Sequence, residues 1–315
     1  MGHLTTTAHP YAFFEGKVVK VEDAKVSIMT NALQYGTGVF GGLRGYYNKE
    51  QGSISIFRLD DHIKRFYQSF RILGVELRIS PEEAKQAVIE LMEKNNPTVD
   101  TYIRIFGYAD SLNLAPNLAR ESQFGYFVYM VPLSDYLATD KGLSVMVSSW
   151  RRLADNAIPS RAKISGSYVN AALAKQQAIQ LGFDEAIYLN ESGHVSEGSA
   201  MNIAIVRDGT IITPAVTDDI LEGITIRSVL KVAEDMGIPV VTRSIDRSEL
   251  YIADEAFFTG TAAQIAWIAR VDGRTVGDGT QGPITRKLQE SFFKIIRGND
   301  PEYDAWCTKV AIEQY

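Results

Sequence analysis

The chain has a single cysteine, Cys307, so it can hold no intrachain disulfide and no multi-cysteine zinc site. Its four histidines are His3, His9, His62 and His194, and no two stand at a recognisable metal-ligand spacing. No apolar run approaches the ~20 residues a membrane helix needs. Lysine and arginine form no dense stripe and the formal net charge is −6, which argues against a nucleic-acid partner. The start, Met1-Gly-His-Leu-Thr-Thr-Thr7, lacks the basic and apolar regions of a secretion signal. Low-complexity segments and internal repeats are missing as well. What is present is a globular composition, 45% hydrophobic and 22% charged over 315 residues, enough for two domains of ordinary size. The expectation is a soluble, cytoplasmic protein of enzyme size.

Local signals outline the organisation. Residues 17–21 and 54–56 read as short strands next to glycine turns. Leu59, Ile63, Phe66, Phe70 and Leu73 recur at spacings of four and three, which predicts a helix that Gly74 stops. Ser80-Pro-Glu-Glu83 spells a capping box with proline at the first helical position, opening a helix that buries Ala84, Val88, Leu91 and Met92. Strands are expected at 102–106 and 124–131, with a loop over 111–121 that could line a pocket or simply connect them. The polar stretch 132–142 reads as an interdomain linker between a small N-terminal α+β domain, 1–131, and a larger C-terminal one, 143–315. There, strands are expected at 143–148, 185–189, 202–206 and 210–212, with helices near 167–181, 224–236 and 284–296. Arg207-Asp-Gly209 is a hairpin-turn signal. Strands and helices come in clusters without βαβ alternation, which favours an α+β fold.

Without metal or histidine pairs, the reactive candidates are lysines, carboxylates and backbone anion sites. Lys163, in Arg161-Ala-Lys-Ile-Ser-Gly-Ser-Tyr168, has small and apolar neighbours that suit a nucleophilic amine, although a loop lysine on the surface reads the same way. Glu197 lies in the turn-rich Gly193-His-Val-Ser-Glu-Gly-Ser199, where a carboxylate could hold a protonated ring nitrogen or be an ordinary loop residue. Gly223 precedes a helix start, leaving the amides of Ile224 and Thr225 as donors for an anion; such starts are also common without a ligand. Thr261, in Thr259-Gly-Thr-Ala-Ala263, could add a hydroxyl and an amide, and Arg65 a positive charge.

Taken in order, these pieces resemble the fold-type IV pyridoxal-phosphate enzymes, and among them the branched-chain amino-acid aminotransferases. The matching blocks are Ala32-Leu-Gln-Tyr-Gly-Thr-Gly-Val-Phe40, the Arg58 to Arg65 stretch, Tyr102-Ile-Arg104, and Ala162-Lys163 with Gly166 and Tyr168. Ser196-Glu-Gly198, Leu221 to Arg227, and Gly260-Thr-Ala-Ala263 complete them. The resemblance implies a two-domain α+β fold of the D-amino acid aminotransferase-like type, with pyridoxal 5′-phosphate between the domains.

It also implies roles. Lys163 would be the Schiff-base lysine and proton carrier, Glu197 the partner of the pyridinium nitrogen, and Tyr168 the phenol on the cofactor's 3′-oxygen. Arg65, Ile224, Thr225 and Thr261 match the phosphate cup, and Leu221 the residue on the ring face. Tyr35, Phe40, Gly42, Arg44, Tyr102 and Arg104 fall on substrate-pocket positions, with the Tyr-x-Arg pair receiving glutamate's distal carboxylate. The amides of Thr261, Ala262 and Ala263 would take the α-carboxylate. The implied reaction is a ping-pong exchange between branched-chain L-amino acids and 2-oxoglutarate. The implied partners are amino acids, 2-oxo acids and a second copy of the chain, as a homodimer or higher homo-oligomer.

Two departures bear on the substrate. Val39-Phe40 is followed by Gly41-Gly42 where the family usually carries a glutamate, and the pocket loop reads Leu112-Asn-Leu-Ala-Pro116 in place of a Gly-aliphatic-Asn-Pro turn. Both are read as pocket-mouth positions, pointing to a more permissive pocket. A broad-range, (R)-amine or D-amino acid transaminase, or an aminodeoxychorismate-lyase-like enzyme of the same fold, therefore stays open at this point.

Overall fold

The computed structural model describes residues 7–118, 124–133 and 141–313. In chain order its first elements are β1 (Tyr11–Phe14), β2 (Lys17–Lys20), α1 (Asn31–Tyr35), β3 (Gly38–Asn48), β4 (Ser53–Phe57), α2 (Leu59–Leu73), α3 (Pro81–Asn95), β5 (Thr101–Ala109) and β6 (Phe124–Pro132). There follow β7 (Leu143–Val147), α4 (Tyr168–Gln180), β8 (Glu185–Leu189), β9 (Val195–Gly198), β10 (Asn202–Arg207), β11 (Thr210–Thr213) and α5 (Ile224–Asp235). The last are β12 (Val240–Thr242), β13 (Glu255–Gly260), β14 (Gln264–Val271), β15 (Arg274–Thr275), α6 (Pro283–Ile296) and β16 (Cys307–Ala311).

Helix limits follow local chemistry. At α3 both halves of the capping box form: Ser80 Oγ accepts from the Glu83 amide, and the Glu83 carboxylate accepts from the Ser80 amide. α2 stops where Gly74 turns left-handed at φ +71° and returns its amide to the Phe70 and Arg71 carbonyls. Asp208 and Gly209, both at positive φ, make the two-residue turn joining β10 to β11. β3 has no such local signal, because its glycines at 38, 41, 42 and 45 are poor strand formers. Pairing with β4 on one side and β5 on the other imposes the extended form.

The chain divides into two compact units. The first comprises Met1–Ser134, Ala162–Gly166 and Lys294–Tyr315, and the second Asp135–Arg161 and Ser167–Phe293. This differs from a simple split into 1–131 and 143–315. The Lys163 segment joins the first unit through its bridge to β3, and β16 joins it as an antiparallel neighbour of β4. Of the expected linker, residues 134–140 lie outside the described residues, as do 119–121 of the expected loop.

The first unit is an antiparallel seven-stranded sheet in the order β16-β4-β3-β5-β6-β1-β2. One face is covered by α2 and α3. Val39, Leu43, Ile103, Ile105 and Val128 pack there with Ile63, Phe66, Phe70, Val88 and Leu91. Burying each such side chain contributes roughly 1.5–3 kcal/mol. Alternation sends the intervening residues to the other face, where Phe40, Phe106 and Phe127 stack nearly parallel at centroid spacings of 6.3 and 5.0 Å. That aromatic face carries the candidate chemistry.

The second unit holds a mixed sheet in the order β12-β11-β10-β13-β14-β7-β8-β9, with β15 on β14. Asn202 at the start of β10 pairs with Thr259 near the end of β13. Gly260 closes the hairpin onto Gln264, so 261–263 form its three-residue turn. The end of β9, the start of β10 and this turn therefore gather at one edge of the sheet. Among the described residues no helix is long and apolar enough to cross a membrane.

Candidate active site

In the first unit, Lys163 is held by its backbone. Its amide donates to Ser69 Oγ at 3.2 Å, its carbonyl accepts from the Phe40 amide at 3.0 Å, and Ile164 bridges to Val39. Ser69 Oγ donates in turn to the carbonyl of Arg65, one helical turn earlier, at 3.1 Å. Arg65 and Lys163 thus meet through a buried serine that no sequence signal singled out. The chain around Lys163 also needs two glycines. The Gly166 amide donates to the Gly36 carbonyl at 3.1 Å, and a Cβ on Gly36 would stand 2.7 Å from Gly166 Cα. Gly36 also has φ +67°, which glycine adopts at no steric cost.

Lys163 Nζ lies 4.9 Å from the centroid of the Phe40 ring, and the Arg104 guanidinium carbon lies 4.4 Å from the same centroid. Arg104 Nη2 donates to Tyr102 Oη at 3.0 Å. Burial pushes the Tyr102 phenol up, opposed by the charges of Arg104 and Arg65, so it stays protonated at neutral pH. Arg104 Nε is buried without a hydrogen-bond partner among the described residues. Such a donor is costly unless a ligand completes it. Gly42 leaves room for this pair, since a Cβ there would fall 2.1 Å from Tyr102 Oη.

Phe40, Gly42, Tyr102, Arg104, Arg65 and Lys163 therefore come together. Arg44 is placed differently. It is 2% exposed, donates from Nη2 to the Leu133 carbonyl at 3.1 Å, and forms an ion pair with Asp100 at 3.5 Å. Tyr35 ends α1 with 40% of its surface exposed. Gly41 is also not at a pocket mouth, which corrects the reading of that departure. Its Cβ would point to the helix-covered face and meet Ile105 side-chain atoms at 2.6 and 2.7 Å. Strand alternation puts Gly41 with Val39 and Leu43, so its missing side chain is replaced by core packing and enlarges no pocket.

In the second unit, Glu197 on β9 is 6% exposed and held by three donors. Oε1 pairs with Arg152 Nη2 at 2.9 Å, while Oε2 accepts from Asn202 Nδ2 and the Leu221 amide, each at 3.1 Å. Asn202 Nδ2 also donates to the Leu221 carbonyl at 2.9 Å. Arg152 and Asn202 carry no motif that marks them in the sequence. Leu221 leads into Gly223 and α5, whose N-terminus has no side-chain cap. Thr225 is buried in the first turn of α5, and the first amides of a helix begun this way can take an anion. Tyr168 opens α4 and, like Glu197, is near enough to Tyr188 to raise its phenol, although burial of Tyr188 is the main cause. Thr261, Ala262 and Ala263 form the turn between β13 and β14.

Pyridoxal phosphate requires an amine, an anionic partner for its ring nitrogen, and donors for its phosphate. The first unit offers an amine at Lys163 and a cation at Arg65, and the second a carboxylate at Glu197 and the α5 start with Thr225, so the residue types present fit these requirements. Among the described residues no group of three or more His, Cys, Asp or Glu could hold a metal ion.

A family model described as amino-transferase class IV matches residues 38–271. The "Probable branched-chain-amino-acid aminotransferase" of Aquifex aeolicus is 45% identical over 301 residues, covering 95% of this chain and 96% of that protein. The crystal structure of the branched-chain aminotransferase of Thermoproteus uzoniensis with norvaline superposes with a TM-score of 0.92 at 40% identity, covering 96% of this chain and 99% of the other. The branched-chain amino acid aminotransferase of Thermobaculum terrenum in its PLP-form gives 0.91 at 36%, covering 96% and 98%. Similarity of this extent, over nearly the whole chain, places it in the class IV aminotransferases, and within them in the branched-chain-amino-acid aminotransferase family.

Proposed function

We propose that the enzyme exchanges amino groups between L-leucine, L-isoleucine or L-valine and 2-oxoglutarate. The chain is a pyridoxal-phosphate-dependent transaminase of the branched-chain type. When bound, the cofactor supplies an electron sink that stabilises negative charge on the substrate Cα. The protein's residues do the rest. Lys163 would hold the cofactor through its amine and would carry the proton to and from the substrate Cα. Glu197 holds the ring nitrogen in its protonated form, and Tyr168 orients the ring through its 3′-oxygen. Arg65, Thr225, Thr261 and the amide of Ile224 hold the phosphate, with Leu221 against the ring.

For the substrate, Phe40 and Gly42 shape an apolar wall, while Tyr102 and Arg104 receive the distal carboxylate of glutamate. The observation that carries this reading is Arg104. Its buried Nε lacks a protein partner among the described residues, beside an aromatic wall suited to a branched side chain. One pocket can then take an apolar side chain or, through Arg104, a carboxylate. The turn 261–263 would bind the α-carboxylate common to both.

The test is a half-reaction. L-Leucine should convert the bound cofactor from its pyridoxal to its pyridoxamine form, followed by absorbance, and 2-oxoglutarate should reverse the change. Faster conversion by D-alanine or (R)-1-phenylethylamine overturns the substrate assignment.

A homodimer is the minimum assembly in this reading. Val26, Ile28, Met29, Leu33, Leu112 and Leu114 are exposed, Leu114 at 90%. Asn31 ties their two stretches together, its amide donating to the Ser111 carbonyl at 2.9 Å and its side chain to the Ala115 carbonyl at 3.0 Å. An apolar area of this kind is a subunit contact more often than a solvent face. Leu114→Asp should shift the sedimentation of the protein toward the monomer. The proposed location is the cytoplasm.

A further inference from the structure

Glu197 sits in surroundings that would drive an unsupported carboxylate to its neutral form. One of its donors is the guanidinium of Arg152, at 2.9 Å from Oε1. Arg152 is fixed from several sides. Its backbone amide donates to the Leu189 carbonyl at 3.0 Å, at the end of β8, and its Nε donates to the Asp219 carbonyl at 3.2 Å. Its guanidinium carbon stands 6.0 Å from the Tyr188 ring centroid. Burial holds that phenol above the ordinary tyrosine range, so Tyr188 adds no charge of its own. The Arg152 and Glu197 side chains are 12% and 8% exposed, and an ion pair this far from water is seldom worth more to stability than an apolar pair of the same size. Its position therefore calls for a functional reason.

We propose that Arg152 is a positioning residue that keeps Glu197 ionised and aimed, so that the proton shared with the cofactor's ring nitrogen stays on the nitrogen. This rests on the reading of Glu197 as the ring-nitrogen partner. The three donors set the direction of the effect. Each hydrogen bond to a carboxylate favours its charged form, and the guanidinium adds a full positive charge. With Arg152 removed, Glu197 becomes the stronger base and takes the proton itself, and the ion pair with the ring is lost. Asn202 and the Leu221 amide fix the other oxygen, so Glu197 keeps its place while its charge changes. Arg152 thus acts on the ring through Glu197 without itself touching substrate.

The test measures binding of two ligands to the cofactor-free protein: pyridoxal phosphate, and its carbocyclic analogue with C–H in place of the ring nitrogen. Wild type should prefer the nitrogen-bearing ligand by about tenfold or more, the worth of a charge-assisted hydrogen bond, and Glu197→Gln should lose that preference. Arg152→Gln should lose most of it too, while its affinity for the analogue changes by less than about threefold. Arg152→Lys, which keeps the charge, should retain the preference, and it serves as the measurement if Arg152→Gln does not fold. Full preference in Arg152→Gln, equal weakening of both ligands, or loss of preference in Arg152→Lys overturns the role of Arg152 alone. Equal preference in wild type and Glu197→Gln removes the Glu197 reading, and the role of Arg152 with it.

Discussion

The Lys163 carbonyl accepts a hydrogen bond from the Phe40 amide at 3.0 Å, and Lys163 Nζ lies 4.9 Å from the centroid of the Phe40 ring. One residue thus meets both ends of the reactive lysine, its backbone through a strand-like bond and its amine through an aromatic face. Phe40→Leu keeps the backbone bond and an apolar wall but removes the π face. Because such a contact is worth roughly 0.5–2 kcal/mol, kcat with L-leucine should fall by about threefold to thirtyfold. Steady-state kinetics with 2-oxoglutarate as acceptor checks this, and an unchanged kcat would show that the ring is wall and nothing more.

Ser69→Ala breaks the link from the Lys163 amide to the Arg65 carbonyl. Ser69 is fully buried, so removing its hydroxyl deletes two hydrogen bonds inside the fold and should cost about 1–3 kcal/mol. The thermal midpoint of the variant should drop by several degrees relative to wild type. Ser69→Cys or Ser69→Thr, which keep a hydrogen-bonding group, should recover part of the loss.

Gly223 has φ −69°, so a side chain there meets no backbone penalty. The obstacle is Asn202, whose Oδ1 would lie 1.8 Å from an added Cβ. Gly223→Ala should push Asn202 away from Glu197 and Leu221 and weaken cofactor binding by about tenfold. Combining it with Asn202→Gly should do less harm than the sum of the two single changes, since the second removes what the first strikes. Strict additivity in the double-mutant cycle would show that the clash is relieved elsewhere.

Hydrogen bonds from Arg243, with Arg207 adding to them, hold the Glu249 carboxyl at about 2, below its ordinary 4.5. A depressed carboxylate stabilises the fold above its unfolded value, and the contribution is lost as pH falls from about 4.5 toward 2. Glu249→Gln should therefore be less stable than wild type at pH 7, by about 1–2 kcal/mol once solvent screening of the half-exposed guanidiniums is allowed for. Denaturation at several pH values should show that gap narrowing below pH 4.5. A constant gap from pH 7 to pH 3 would assign the stability to packing.

The helices were legible in the sequence because their signals are local. The spacing of Leu59, Ile63, Phe66, Phe70 and Leu73, the Gly74 stop and the Ser80–Glu83 box all act within a few residues, and α2 and α3 begin and end accordingly. β3 was not legible, since four glycines in eleven residues argue against a strand and its two neighbours supply the pairing. The site divides in the same way. Lys163, Glu197 and the Gly223 helix start stand in short motifs that resemblance picks out. Ser69, Arg152 and Asn202 have no motif, and Ser69 meets Lys163 from 94 positions away.

The sequence by itself determined the reactive groups this protein has and those it must borrow. One cysteine and four histidines leave it few reactive groups of its own, and the ordered motifs resemble those of pyridoxal-phosphate enzymes. The tertiary structure decided how those groups are set. It turned Gly41 into the core and left Gly42 beside Tyr102, though the two are adjacent in the chain. It also joined Arg152 to Glu197, and Phe40 to Lys163. The physical reason is range. Helix caps and turns act over a few residues, while the face a strand residue takes, and the charge a buried carboxylate keeps, depend on neighbours that only folding brings near.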